Sequence, residues 1–134
     1  MIKNVKFNYM YRDASNYKSW GSVIFINPGE ATLSDIDARL LNVYGNDRLF
    51  IASQIRIPEV FLYLDGDITI DDHCFHEYIS VEFTNESENG KHGRSISEFI
   101  KEVENQSNVG WQPFDPADPY QFISRKITHF PMKL

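Results

Sequence analysis

Phe75-His76-Glu77-Tyr78-Ile79-Ser80-Val81-Glu82-Phe83-Thr84 puts Phe75, Ile79, Val81 and Phe83 on one side of an extended chain and His76, Tyr78, Ser80, Glu82 and Thr84 on the other. A period of two sustained over this length predicts a long, half-buried strand. Glu77 breaks the pattern, because its parity places a carboxylate among the apolar residues. Either a bulge re-aims it, or it is half buried with a cation such as Arg12 or Arg56.

Working outward, Lys3 to Asp13 alternates in the same way. Val5, Phe7, Tyr9 and Tyr11 share one side, and Asn4, Lys6, Asn8 and Arg12 share the other, which predicts a second strand. After a loop over Ala14 to Gly21, Val23-Ile24-Phe25-Ile26 is apolar on both faces and stops at Pro28-Gly29, as a covered strand does. Leu49 to Ile57 alternates weakly up to Pro58 and is read as a further strand, and Phe61 to Leu64 is a short apolar piece cut off by Asp65-Gly66.

Two helices complete the set. Thr32 as N-cap, Asp35 three residues on, a stripe of Leu33, Ile36, Leu40 and Leu41, and Gly45 as the stop predict a helix over 33–44. Ser95 with Glu98 forms a capping box ahead of Ile96, Phe99, Ile100 and Val103, predicting a second helix over about 96–106. The expected architecture is an α+β fold, a mainly antiparallel sheet with two helices packed on one face. Residues 1–134 fit one domain, with 112–134 a largely irregular segment docked through Tyr120, Phe122, Ile123, Ile127 and Phe130. Such a fold decides no function.

Composition narrows the function. Thirteen Lys and Arg against 19 Asp and Glu give a net charge of −6, which argues against a non-specific grip on nucleic acid or an anionic membrane. The single cysteine, Cys74, rules out an internal disulfide. The start of the chain lacks the apolar run of an export signal, and no stretch is apolar enough to span a bilayer, so a cytoplasmic protein is expected. The acids are concentrated. Between Ile57 and Gly90 stand Glu59, Asp65, Asp67, Asp71, Asp72, Glu77, Glu82, Glu86 and Glu88, with no Lys or Arg. The plain account is a solvated face that keeps the protein soluble. The functional account is an electrostatic landing surface for a basic partner, to which Asp65, Asp67, Asp71 and Asp72 contribute.

Asp71-Asp72-His73-Cys74-Phe75-His76-Glu77 brings every common metal-ligand type into one stretch. In a strand, Asp72, Cys74 and His76 share a face; in a turn, His73 and His76 converge instead. Neither arrangement has a recognised zinc spacing, and no nucleophile motif lies nearby. The structural alternative gives Asp71 and Asp72 turn hydrogen bonds and leaves both histidines partly buried and satisfied. No metal and no other cofactor is expected.

In the loop segment, Tyr11, Tyr17 and Trp20 stand among Arg12, Asn16 and Lys18. Aromatic and Arg side chains combine large contact area with a polar handle, as binding hot spots do. The same side chains can stack single-stranded bases, but the acidic half of the molecule opposes that. Their plain alternative is to fold back over the sheet edge.

Several of these stretches together resemble a family of small, uncharacterised bacterial proteins. They are Tyr11-Arg12-Asp13 with Asn16-Tyr17-Lys18 and Trp20-Gly21, Asn27-Pro28, Phe50-Ile51-Ala52 with Gln54, Ile57-Pro58-Glu59, Asp71-Asp72-His73 with His76-Glu77, and Gly93-Arg94-Ser95-Ile96 with Glu98-Phe99. The resemblance runs over most of 7–111 and implies no activity, cofactor or catalytic residue. The expectation that follows from the residues is a small protein-binding domain whose contact set is Tyr11, Arg12, Asn16, Tyr17, Lys18, Trp20, Asp65, Asp67, Asp71, Asp72, His73, His76 and Glu77. Its most concrete form is an immunity-type inhibitor of a basic bacterial toxin domain. The alternative is a small metal-dependent hydrolase centred on Asp72, His73, His76 and Glu77.

Overall fold

The computed structural model describes residues 3–64 and 68–118 of the chain. In order they form β1 (Asn4–Arg12), β2 (Lys18–Phe25), α1 (Leu33–Tyr44), β3 (Leu49–Phe50), β4 (His76–Thr84) and α2 (Ile96–Val109), with short 3₁₀ turns at Ala52–Ile55 and Leu62–Leu64. The strands make one antiparallel sheet in the order β2-β1-β4-β3. Ile36, Leu40 and Tyr44 of α1 and Phe99, Ile100 and Val103 of α2 share one core with Val5, Phe7 and Tyr9. Both helices therefore cover the same face, as the α+β expectation requires.

Aromatic residues hold that face. Phe7 stacks on Tyr78 with ring centroids 5.5 Å apart and meets the edge of Phe99 at 5.0 Å, and Phe99 in turn stacks on Phe25 at 4.5 Å. Each fully buried ring of this size contributes roughly 1.5–3 kcal/mol of transfer free energy, so the packing of these rings dominates the docking of α2. Both helices begin where the sequence signals them and α1 also ends there, whereas α2 runs on to Val109, past the expected 106. Thr32 accepts from the Asp35 N–H, Gly45 closes α1 at φ +71°, and Ser95 and Glu98 form a reciprocal capping box. Bidentate pairs from Arg39 to Glu104 and from Arg56 to Glu102 strap α2 to its neighbours.

The structure corrects three sequence readings. First, the loop expected over Ala14–Gly21 is a tight hairpin turn, and β2 already starts at Lys18. The turn closes through the Asp13 N–H to the Tyr17 carbonyl at 3.0 Å, with Asn16 in the left-handed region at φ 72°, a conformation that Asn tolerates. Lys18-Ser19-Trp20-Gly21-Ser22 has Trp20 as its one apolar side chain among polar residues and Gly, so no alternation marks it as a strand. Second, the strand expected over Leu49–Ile57 pairs with β4 only at Leu49 and Phe50 and then winds into the 3₁₀ turn. Ile51 and Ile55, four residues apart, are buried by that turn as well as a strand would bury them. Third, β4 changes phase. Tyr9 faces Tyr78 but Asn8 faces Ser80, so Ile79 is an extra residue in a β-bulge. His76 and Tyr78 therefore point into the core, and beyond the bulge Val81 and Phe83 take over the inward parity.

Past α2, the Gln54 side chain binds the Gln112 backbone through both its amide N–H and its carbonyl oxygen. Phe114 packs beside a second buried cluster of Tyr11, Phe61 and Tyr63. The docking expected of Tyr120, Phe122, Ile123, Ile127 and Phe130 lies outside the described residues. Among the described residues no helix is long and apolar enough to cross a membrane.

Candidate functional site

The acidic-histidine stretch is built inward, and most of its polar atoms are hydrogen-bonded within the fold, His76 Nδ1 being buried with no hydrogen-bond partner among the described residues. Asp72 accepts from the Tyr11 hydroxyl at 2.7 Å and from the Thr69 N–H at 2.8 Å. Asp71 accepts from the Ser15 hydroxyl, and its carbonyl accepts from the Ala14 N–H, tying the β1–β2 turn to this segment. His73 is engaged at both ring nitrogens. Nδ1 accepts from the Phe75 N–H at 3.0 Å, which leaves Nε2 protonated to donate to the Arg12 carbonyl at 2.7 Å. Neither nitrogen offers a lone pair to a metal.

His76 is fully buried, with Nε2 accepting from the Val60 N–H at 3.0 Å. Burial, with a smaller contribution from nearby His73, pushes its pKa down to about 3, so the imidazole is neutral at physiological pH. Burial pushes the Cys74 thiol up, the opposite of what a thiolate ligand or nucleophile needs. Glu77 projects from the other side of β4 and pairs with Arg12 at 3.0 Å. Of the two cations considered, Arg12 is the partner, because Arg56 is committed to Glu102. Among the described residues no group of three or more His, Cys, Asp or Glu can hold a metal ion. Glu77 and His76, adjacent in β4, thus sit on opposite faces of the strand.

The remaining contact candidates separate in the same way. Tyr11 is buried at 0% exposure and His76 likewise, so both leave the contact set: a partner reaches neither ring without opening the core. Trp20 at 63% and Tyr17 at 68% are exposed, with Lys18 and Asn16 exposed beside them and Arg12 half-buried. Trp20 pairs with Met10 across the helix-free face of the sheet, where it borders a depression of about 450 Å³ with Lys6, Asn8 and Glu82. The acids of the 57–90 window on this face are matched to donors. Glu82 accepts from Asn8, and Glu86 from Lys6, which holds the Glu86 carboxyl below the usual carboxylate range. Asp65 and Asp67 lie outside the described residues.

A cavity of about 570 Å³, which the sequence did not point to, opens at the inner end of β2, beside Ser22 and Val23. Its cationic wall is Arg56, Lys91 and Arg94, with Glu59 as the lining carboxylate. Arg94 is buried at 7% exposure. It donates to the Ile55 and Arg56 carbonyls at 2.9 and 2.8 Å, lies 3.3 Å from Glu102, and spans the Phe25 and Phe99 rings at 5.7 and 5.2 Å. Burial pulls its pKa down and Glu102 opposes that; guanidinium remains cationic regardless. Ser53 Oγ and Arg94 Nε, both on lining residues, are buried and have no hydrogen-bond partner among the described residues. The one sequence signal available was Arg94 immediately before the Ser95 cap, a position where a cation opposes the helix dipole and so needs a specific partner. No protein family, curated protein or solved structure matches the chain.

Proposed function

We propose that this chain is a protein-binding domain that works through the Asn16–Ser22 arm of the β1–β2 hairpin, acting as an immunity-type inhibitor of a bacterial toxin domain. The observation that carries the reading is the exposure of Trp20, at 63%, on a strand whose other half is fully buried, and of Tyr17, at 68%, in the turn just before it. Large aromatic side chains left in water beside Lys18 and Arg12 form the kind of anchor that dominates interface energetics. The histidine-carboxylate stretch supports the same choice, since Asp71, Asp72 and His73 are engaged by neighbouring groups of the chain instead of facing a substrate. The acidic character of the chain favours a basic partner through long-range steering.

Affinity capture from the native host, using wild type and Trp20→Ala side by side, tests it. A partner held by wild type, lost with Trp20→Ala at unchanged melting temperature, and reconstituted from purified components supports the reading. A reconstituted partner held equally by both overturns the placement of the surface. Neutralisation of that partner's toxicity by wild type, and not by Trp20→Ala, tests the inhibitor role.

A further inference from the structure

We propose that the outer edge of β2 from Lys18 to Ser22 pairs with an extended segment of the partner, and that an acidic side chain of that segment enters the cavity beside Ser22. This rests on the protein-binding reading and specifies how the binding is made.

Backbone parity identifies the open groups. The Ile24 N–H donates to Asn89 Oδ1 at 2.8 Å, the Ile24 carbonyl accepts from the Asn89 N–H, and the Ile26 carbonyl accepts from the Ile96 N–H. Even-numbered residues of β2 therefore turn their N–H and C=O away from β1. At Lys18, Trp20 and Ser22 the same groups point outward, and among the described residues nothing hydrogen-bonds to them; all three are exposed. Such a row is a template for strand addition. The row is also firmly backed. A Cβ on Gly21 would come within 2.8 Å of the Tyr9 ring and 2.9 Å of Val60, so the strand sits hard against the core. Trp20 offers an added strand a large cross-strand neighbour.

The cavity determines the chemistry of the incoming segment. It continues the open edge at Ser22 and carries three cations, Lys91 together with Arg56 and Arg94, which share Glu102, beside the Glu59 carboxylate, an excess of positive charge in a chain of net charge −6. Ser53 Oγ and Arg94 Nε are buried donors without an acceptor. An Asp or Glu carboxylate supplies both negative charge and acceptor oxygens.

A bead-displayed library of random heptapeptides, screened against the full chain, provides the probe. The expected result is enrichment of sequences with one Asp or Glu next to alternating apolar residues. The best synthetic heptapeptide should bind about tenfold more weakly to Lys91→Glu, and equally weakly when its acid is replaced by the amide. On binding, amide hydrogen exchange should slow at Lys18, Trp20 and Ser22 and stay unchanged at Ser19 and Gly21. Ser22→Pro should remove binding by deleting one outward donor, and Lys91→Glu carries the test if that variant does not fold. The proposal falls if no acidic preference emerges, if protection appears elsewhere, or if the mass doubles without peptide in sedimentation, which would make a second copy the occupant. A captured host partner that needs Trp20 while no peptide protects these amides leaves protein binding standing and removes edge pairing.

Discussion

The two halves of β2 differ in kind although they are one continuous strand. Val23, Ile24 and Phe25 are buried, their outer edge is covered by Asn89 and Ser95, and Phe25 lies against Phe99 and Arg94. Lys18 to Ser22 has the same partner, β1, yet exposes Trp20 and has outer groups that no described residue bonds. Pairing to β1 is common to both halves, so it does not explain the difference. The covered half is closed by a return segment that the chain supplies just before α2, and no described residue closes the other half in that way.

Three measurements probe this contrast. The largest effect should come from acid. The open half rests on Val60, whose N–H is held by the neutral His76. With a folded pKa near 3 against an ordinary value near 6.5, the unfolded chain takes up a proton between these pH values that the folded chain refuses. The contribution of His76 is complete above about pH 6.5 and declines as pH falls toward 3, at up to ~1.4 kcal/mol per pH unit. Denaturant midpoints at pH 7, 5 and 4 should fall accordingly, and His76→Gln should flatten the slope. A slope that survives the substitution assigns the acid response to another group.

Next in size is Arg94→Ala. It removes donors from the Ile55 and Arg56 carbonyls and a cation from Glu102, and should cost about 3 kcal/mol in equilibrium unfolding. A cost below about 1 kcal/mol would mean that the covered half does not depend on the closing segment. The smallest effects form a matched pair. Asn89→Ala, which uncovers Ile24, should lose about 1 kcal/mol, and Trp20→Ala should stay within about 0.5 kcal/mol of wild type. Equal losses from the two would erase the distinction between the halves.

Those contrasts also mark where the sequence was legible. Thr32, Gly45, Ser95 and Glu98 announce both helices because capping is a local hydrogen-bonding problem solved within a few residues. β1 was legible because one face meets water and the other meets the helices. β4 was legible as a strand but not in its phase, which depends on a bulge set by pairing with β1, and pairing is a non-local property. Of the proposed site, Trp20 and Tyr17 could be picked out by composition, whereas Tyr11 shares that composition but also the apolar parity of β1, and it is that parity, together with Phe61 and Tyr63, that buries it. The Arg56, Lys91 and Arg94 wall gathers residues up to 38 positions apart, and no local pattern encodes that.

The bulge at Ile79 makes β4 a strand with two parities. His76 and Tyr78 obey one binary code and Val81 and Phe83 the opposite one, with Ile79 as the point where the code is inverted. Deleting Ile79 would not simply shorten the strand. It would leave a ladder that runs straight only if one side slips by a residue, so either the buried Tyr78 and His76 or the half-buried Val81 would be turned to the opposite face. Any comparison with a related chain must therefore be split at this residue, because hydrophobic patterns on its two sides align only when the extra position is counted. Designers grafting the hairpin inherit the same constraint: the extra residue is part of the register and must travel with it.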